Sequence, residues 1–227
     1  MQEVGVKVSP EGVLEAASVS PFPRRLASAW LAVAALSVFG IAGTRADLES
    51  PNVKKLGRTV SRYRDDVLQI VIGYKHAQHH LESRWILLEA CISATGGPAV
   101  EIFREDVALI APDGTRMSMP SQRRMAEGIP DLRRMLLQAR VMRDPLAGYF
   151  PGCFREERLG FFAVPGEALV FDQVTVDRDT LAWGDLFFES PKGRFEAGIY
   201  TLVVENKSVH VRLPLALGIE GSLQRVR

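Results

Sequence analysis

The stretch Ile199–Leu217, IYTLVV-ENKS-VHVRLPLAL, decides the fold class. Its two apolar runs, Ile199–Val204 and Val209–Leu217, have strand composition. The four polar residues between them, Glu205-Asn206-Lys207-Ser208, are short enough for a hairpin. Upstream, Leu181–Phe188 and Ala168–Val176 (ALVFDQVTV) repeat the pattern, the second with clean alternation. Leu159–Val164 ends at Pro165-Gly166, and Val107–Ala111 runs through the turn Pro112-Asp113-Gly114 into Arg116–Pro120. Proline fixes φ in such a turn and glycine accepts the left-handed conformation. Val67–Tyr74 (VLQIVIGY) and Trp85–Ile92 (WILLEACI) complete nine strand-like runs. Short strands separated by turn signals fit a sandwich or barrel better than alternating helices and strands.

Within the hairpin, the segment Phe195–Val204 (FEAGIYTLVV) resembles the Gly-x-Tyr-x-Leu-x-Val strand near the end of many extracellular Ig-like modules. The resemblance covers about ten residues, so it implies an architecture and names no family. The fold expected is mainly β: an Ig-like antiparallel β-sandwich over residues 65–227.

One interruption stands out. Residues from about 121 to 151 lose the alternation and follow a helical period, with Leu132, Met135, Leu136, Ala139 and Met142 on one face. Asp131 is a candidate cap and Asp144-Pro145 a stop, while Arg133, Arg134, Arg140 and Arg143 project away from the apolar stripe. A helical insertion packed against a sheet edge or one open end is expected. Insertions carried on a rigid scaffold often hold function.

The N-terminal part has a different character. Leu26–Gly43, LASAWLAVAALSVFGIAG, is uncharged and follows Arg24-Arg25. As a helix it would reach roughly 27 Å, enough for a thin hydrocarbon core. The arginine pair should stay cytoplasmic and send the C-terminal bulk outward. An uncleaved anchor and a cleaved signal compete; Gly40-Ile41-Ala42 or Thr44-Arg45-Ala46 would serve as cleavage sites, the second weakened by its charge. No cysteine adjoins the run, which excludes lipoprotein attachment there. Residues 1–23 read as a disordered tail, 24–46 as the transmembrane anchor or signal segment, and 47–64 as a linker or short ordered lead-in.

Composition limits the function classes. The 227 residues carry 28 basic and 27 acidic side chains and are 47% apolar. That excludes wholesale disorder and gives no global basic field for nucleic acid. Arginine outnumbers lysine 22 to 6, and nine arginines (116, 123, 124, 133, 134, 140, 143, 155 and 158) concentrate around the insertion against five acidic residues. A solvated helix face accounts for most of this; lipid headgroups, an anionic glycan or an acidic partner would also suit it.

Sites with chemistry are sparse. His76, His79 and His80 form the densest group of metal-type ligands, with His210 the fourth histidine, and Met117 and Met119 offer thioethers of the kind used for Cu(I). A polar turn explains the histidines and a core-facing strand the methionines, so no metal ligand and no cofactor is assigned. No Gly-x-Ser-x-Gly, Walker A, Gly-x-Gly-x-x-Gly or His-Glu-x-x-His motif occurs. The pairs Asp65-Asp66 and Glu156-Glu157 point apart on a strand, and Cys153 has no identifiable base, so no catalytic residue is assigned. Cys91 and Cys153 form the candidate disulfide if the domain is exported.

The expectation is a non-catalytic interaction or structural module of the cell envelope. It would be held in the membrane through the N-terminal helix with its C-terminal domain outside, or be secreted or periplasmic if cleaved. Its expected partner is a protein or an anionic envelope component, with no role for nucleic acid. The competing expectation is a periplasmic protein handling copper or zinc.

Overall fold

The computed structural model describes residues 50–164 and 166–219. The expected tail and the expected membrane or signal segment lie outside them; among the described residues no helix is long and apolar enough to cross a membrane. The fold is mainly β, with twelve strands among the described residues arranged in three sheets.

The first sheet begins earlier than the sequence suggests. Within 47–64, read as a linker or a short ordered lead-in, residues 53–64 supply β1 (Val53–Lys55) and β2 (Val60–Arg64), which pair antiparallel. β3 (Leu68–Gly73) and β4 (Trp85–Ala94) extend a meander, and β10 (Thr180–Glu189) pairs with β4 over its length. β8 (Arg155–Arg158) closes the far edge, parallel to β10, so this sheet is not antiparallel throughout. The second sheet has the order β12 (His210–Leu217), β11 (Gly198–Glu205), β6 (Val107–Ile110), β7 (Arg116–Ser118). The expected hairpin forms with its loop one residue further on, at 206–209, so that Glu205 lies in β11 opposite His210. Pro214 is accommodated because β12 is an edge strand, where a missing N–H costs no ladder bond. A third, two-stranded sheet pairs β5 (Val100–Phe103) with β9 (Gln173–Val176).

The period of two in the strands divides the core. Ile86, Leu88 and Ile92 of β4, with Leu186 and Phe188 of β10, join Leu202, Val204, Leu213 and Leu215 in one cluster between the six- and four-stranded sheets. The alternate residues Trp85 and Leu87 with Phe187 pack on a helical layer instead. All ten β4 residues are therefore buried, each large apolar side chain stabilising by about 1.5–3 kcal/mol relative to exposure.

The insertion forms that layer. α1 (Lys75–His79) is a single turn between β3 and β4. In the insertion, α2 (Gln122–Glu127) is capped by the Ser121 hydroxyl, which accepts from the Arg124 N–H, and α3 (Ile129–Arg140) follows with Gly128, not Asp131, at its N-cap. Asp131 falls in the first turn, where its charge suits the helix N-terminus. Leu132, Met135 and Ala139 are buried and Leu136 is partly so, as the stripe predicts. The layer covers the outer face of the six-stranded sheet rather than an edge or open end. Two other expected runs differ. Leu159–Val164 is not a strand: Gly160 has φ of 62°, and the chain sends Leu159 and Phe161 into the cluster between the six- and four-stranded sheets but Phe162 onto the helical cluster. Only Gln173–Val176 of the alternating run 168–176 finds a strand partner.

Candidate functional site

The site of greatest chemical interest grows from two acidic residues inside apolar strands. Glu89 in WILLEACISA and Asp185 in TLAWGDLFFE are directly opposite each other in the β4–β10 register. Alternation places both on the helical side, between the cluster of Trp85 and Leu87 and that of Cys91 and Leu181. After α3 the chain returns over the sheet through Arg143 and a 3-10 turn at Leu146–Tyr149, leaving a recess of about 230 Å³ lined by Cys91, Leu146 and Leu181 of the second cluster. Glu89 lines it and is only 6% exposed. Burial, with the neighbouring Asp185 charge adding to it, pushes the Glu89 carboxyl up to about 7, against the pull of Arg143. Arg143 donates through Nη2 to both Asp185 oxygens, at 3.0 and 2.7 Å. Burial raises the Asp185 carboxyl too, and the arginine works against that rise.

The recess adjoins a groove of about 850 Å³ along Arg143, Trp183 and Gly184. Leu137 and Arg140 of α3 form one wall. Residues 160–164 and 167–171, with Arg158, form the other, folded by the Phe171 N–H donating to the Gly160 carbonyl at 2.9 Å and held to α2 where Gln122 Nε2 donates to the Phe161 carbonyl. Phe162 meets Phe187 edge-on, centroids 5.1 Å apart, at the floor. Three apolar side chains on the walls face water: Leu137 at 68%, Leu169 at 80% and Phe171 at 54%.

The arginine group resolves into two kinds. Seven of the nine have carboxylate partners: Arg116 with Glu205, Arg123 with Glu127, Arg124 with Glu189 and Glu127, Arg133 with Glu167, Arg134 with Asp131, Arg143 with Asp185, and Arg155 with Asp177. Arg124 is structural, donating a fork to Glu189 at 2.7 and 2.5 Å that ties α2 to the end of β10. Among the described residues Arg140 and Arg158 have no ion pair, and both line the groove. Arg158 lies over the Trp183 ring, 5.2 Å from its centroid.

The histidines fall elsewhere. His76 is buried in α1 and stacks on His80 with centroids 4.1 Å apart, while His80 Nδ1 meets the His76 carbonyl at 2.9 Å. Burial, then the His80 charge, lowers the His76 imidazole to about 4, although Gln138 of α3 offsets part of this. His79 is exposed and His210 is on β12. Met117 and Met119 are buried in the cluster between the six- and four-stranded sheets. Among the described residues no three His, Cys, Asp or Glu side chains are placed to hold a metal ion. Cys91 and Cys153 are thiols packed in one apolar cluster, Cys153 Sγ lying 3.3 Å from Ser93 Oγ. Asp65 serves a turn, accepting from the Val67 and Leu68 N–H groups, and Glu156 lines the recess.

No family model matches the chain, and no curated protein matches it. Among solved structures, a chain from Bacillus subtilis subsp. subtilis str. 168, called "a putative lipoprotein (ycdA)", is similar at 15% identity and a TM-score of 0.37. The match covers 70% of this chain and 39% of that one. A likeness so distant carries neither fold nor function across.

Proposed function

We propose that the chain is a non-catalytic interaction module of the cell envelope, an Ig-like sandwich held in the membrane by the segment 24–46 with the domain outside the cytoplasm. The observation that carries the reading is the groove. It joins three water-facing apolar side chains to the two arginines that lack ion pairs among the described residues. Burying apolar surface beside unpaired guanidinium groups suits a partner that is amphipathic and anionic.

Two measurements test it. Reporter fusions at the C-terminus should be active only outside the cytoplasm; activity confined to the cytoplasm overturns the location. Hydroxyl-radical footprinting should label Leu137, Leu169 and Phe171 strongly in detergent-purified protein and weakly in the native membrane fraction. Equal labelling in both overturns the groove as the contact site.

The location also bears on the thiols. In an oxidising compartment Cys91 and Cys153, sharing one cluster, are expected to pair.

A further inference from the structure

We infer that the partner of the groove is the surface of an anionic phospholipid bilayer, the same bilayer in which the N-terminal segment is proposed to sit; the inference therefore rests on that reading. Two observations select a membrane. The first is chemical. Leu137, Leu169 and Phe171 project into water in a groove also lined by Arg140 and Arg158, neither of them ion-paired among the described residues, although Arg158 lies over the Trp183 ring, so apolar tips stand beside guanidinium groups that can still meet phosphate oxygens. Apolar side chains entering the acyl boundary while arginines remain at headgroup level is the arrangement interfacial segments use.

The second observation is reach. Nine residues, 44–52, separate the end of the apolar run from the start of β1. Ser50–Asn52 are already folded, the Val53 N–H donating to the Ser50 carbonyl and the Arg64 N–H to that of Asn52; the six residues that remain, 44–49, span at most roughly 20 Å. β1 and β8 are opposite edges of one six-stranded sheet, five inter-strand steps apart, or roughly 24 Å. A domain on so short a tether stays beside the bilayer, and laying its outer face flat on that surface, with the groove on the β8 side, does not require the tether to span the sheet. A soluble macromolecule would have to compete with a lipid surface kept within one domain diameter.

The test uses the full chain in proteoliposomes of phosphatidylcholine alone or of phosphatidylcholine with phosphatidylglycerol. Radical labelling of Leu137, Leu169 and Phe171 should fall several-fold on the anionic vesicles relative to the neutral ones. Raising the salt should restore it. R140E/R158E should restore labelling on anionic vesicles, and R140K/R158K, which keeps the charges, should remain protected. Chain that stays in the vesicles through a carbonate wash but labels equally on both lipids overturns the inference and leaves the envelope reading standing. The same holds if protection appears in native membranes but not in pure lipid, since the partner is then a macromolecule. Chain stripped from both vesicle types by carbonate overturns the anchored reading and this inference together.

Discussion

Glu89 and Asp185 face each other across the β4–β10 ladder, and one guanidinium, that of Arg143, is paired with Asp185 while Glu89 is left in a largely apolar recess. Two carboxylates and one arginine are balanced when one carboxylate keeps its proton, and Glu89 is the more buried of the two. Its carboxyl is accordingly raised to about 7.

The stability of the domain should therefore depend on Glu89 near neutrality. The native state binds this proton up to about 7, whereas an unfolded chain releases it near the ordinary 4.5 of a glutamate. Stability from this group is full below the lower value and falls as pH rises through the upper one. Urea denaturation of E89Q, which cannot ionise there, should show a gain over the parent chain that grows from pH 5 to pH 8 to on the order of a few kcal/mol. A pH-independent difference would contradict the assignment.

His76 works in the opposite direction. Its imidazole is lowered to about 4 from 6.5, so the unfolded chain binds the extra proton between those values. Stability from keeping the ring neutral is present above the unfolded value and is lost as pH falls towards 4. H76F should flatten the acid limb of a denaturation profile while leaving the limb above pH 7 unchanged.

The helical layer gives a direct contrast between neighbours. Leu132 is fully buried on α3 and Leu137 is 68% exposed on the same helix. Leu132→Ala should cost about 2–5 kcal/mol, and Leu137→Ala should stay within about 0.5 kcal/mol. Comparable losses in chemical denaturation would place the stripe incorrectly.

Gly128 sets the angle between α2 and α3 by its closeness to Trp85: a Cβ built there would lie 2.8 Å from Cζ2 of the buried indole. Its φ of −91° suits any residue, so alanine brings a backbone-entropy gain below about 1 kcal/mol. Overpacking costs about 1–3 kcal/mol and should win. G128A is expected to lower the denaturation midpoint and to alter near-ultraviolet dichroism.

The thiols should differ in reactivity. Burial pushes the Cys91 thiol up to about 12, whereas Cys153 is partly exposed. In reduced native protein iodoacetamide should modify Cys153 and spare Cys91. Unreduced, denatured protein from an exporting cell should show no free thiol; two would remove the expected pairing.

How far the sequence discloses this arrangement depends on whether a feature is written along one strand or between several. β3, β4, β10 and the β11–β12 hairpin are legible because burial on one or both faces leaves long apolar runs. β8, Arg-Glu-Glu-Arg, is exposed at every position and becomes a strand only by pairing with β10, so no periodicity marks it. Leu159–Val164 misleads in the opposite way, since its apolar side chains serve two different cores. The arginines are visible as a group, but which two lack an ion pair among the described residues depends on Asp185, Glu189 and Asp177, all remote in sequence. Glu89 and Asp185 did leave a trace: each is a carboxylate in the middle of a largely apolar strand. Only the register shows that they meet.

The strand order also dictates when the domain can finish folding. β4 belongs to the first half of the chain, yet its second neighbour is β10, and β6 pairs with β11. Pairing at such separation is slow, because distant segments must find one another before either gains from the meeting. Until Glu189 has emerged from a ribosome or translocation channel, β4 presents ten core residues with one ladder edge open. Chains truncated before β10 should therefore aggregate rather than persist as a smaller sheet. An exported form has a matching advantage: neither large sheet can close until most of the chain has crossed, which keeps the domain thread-like for passage.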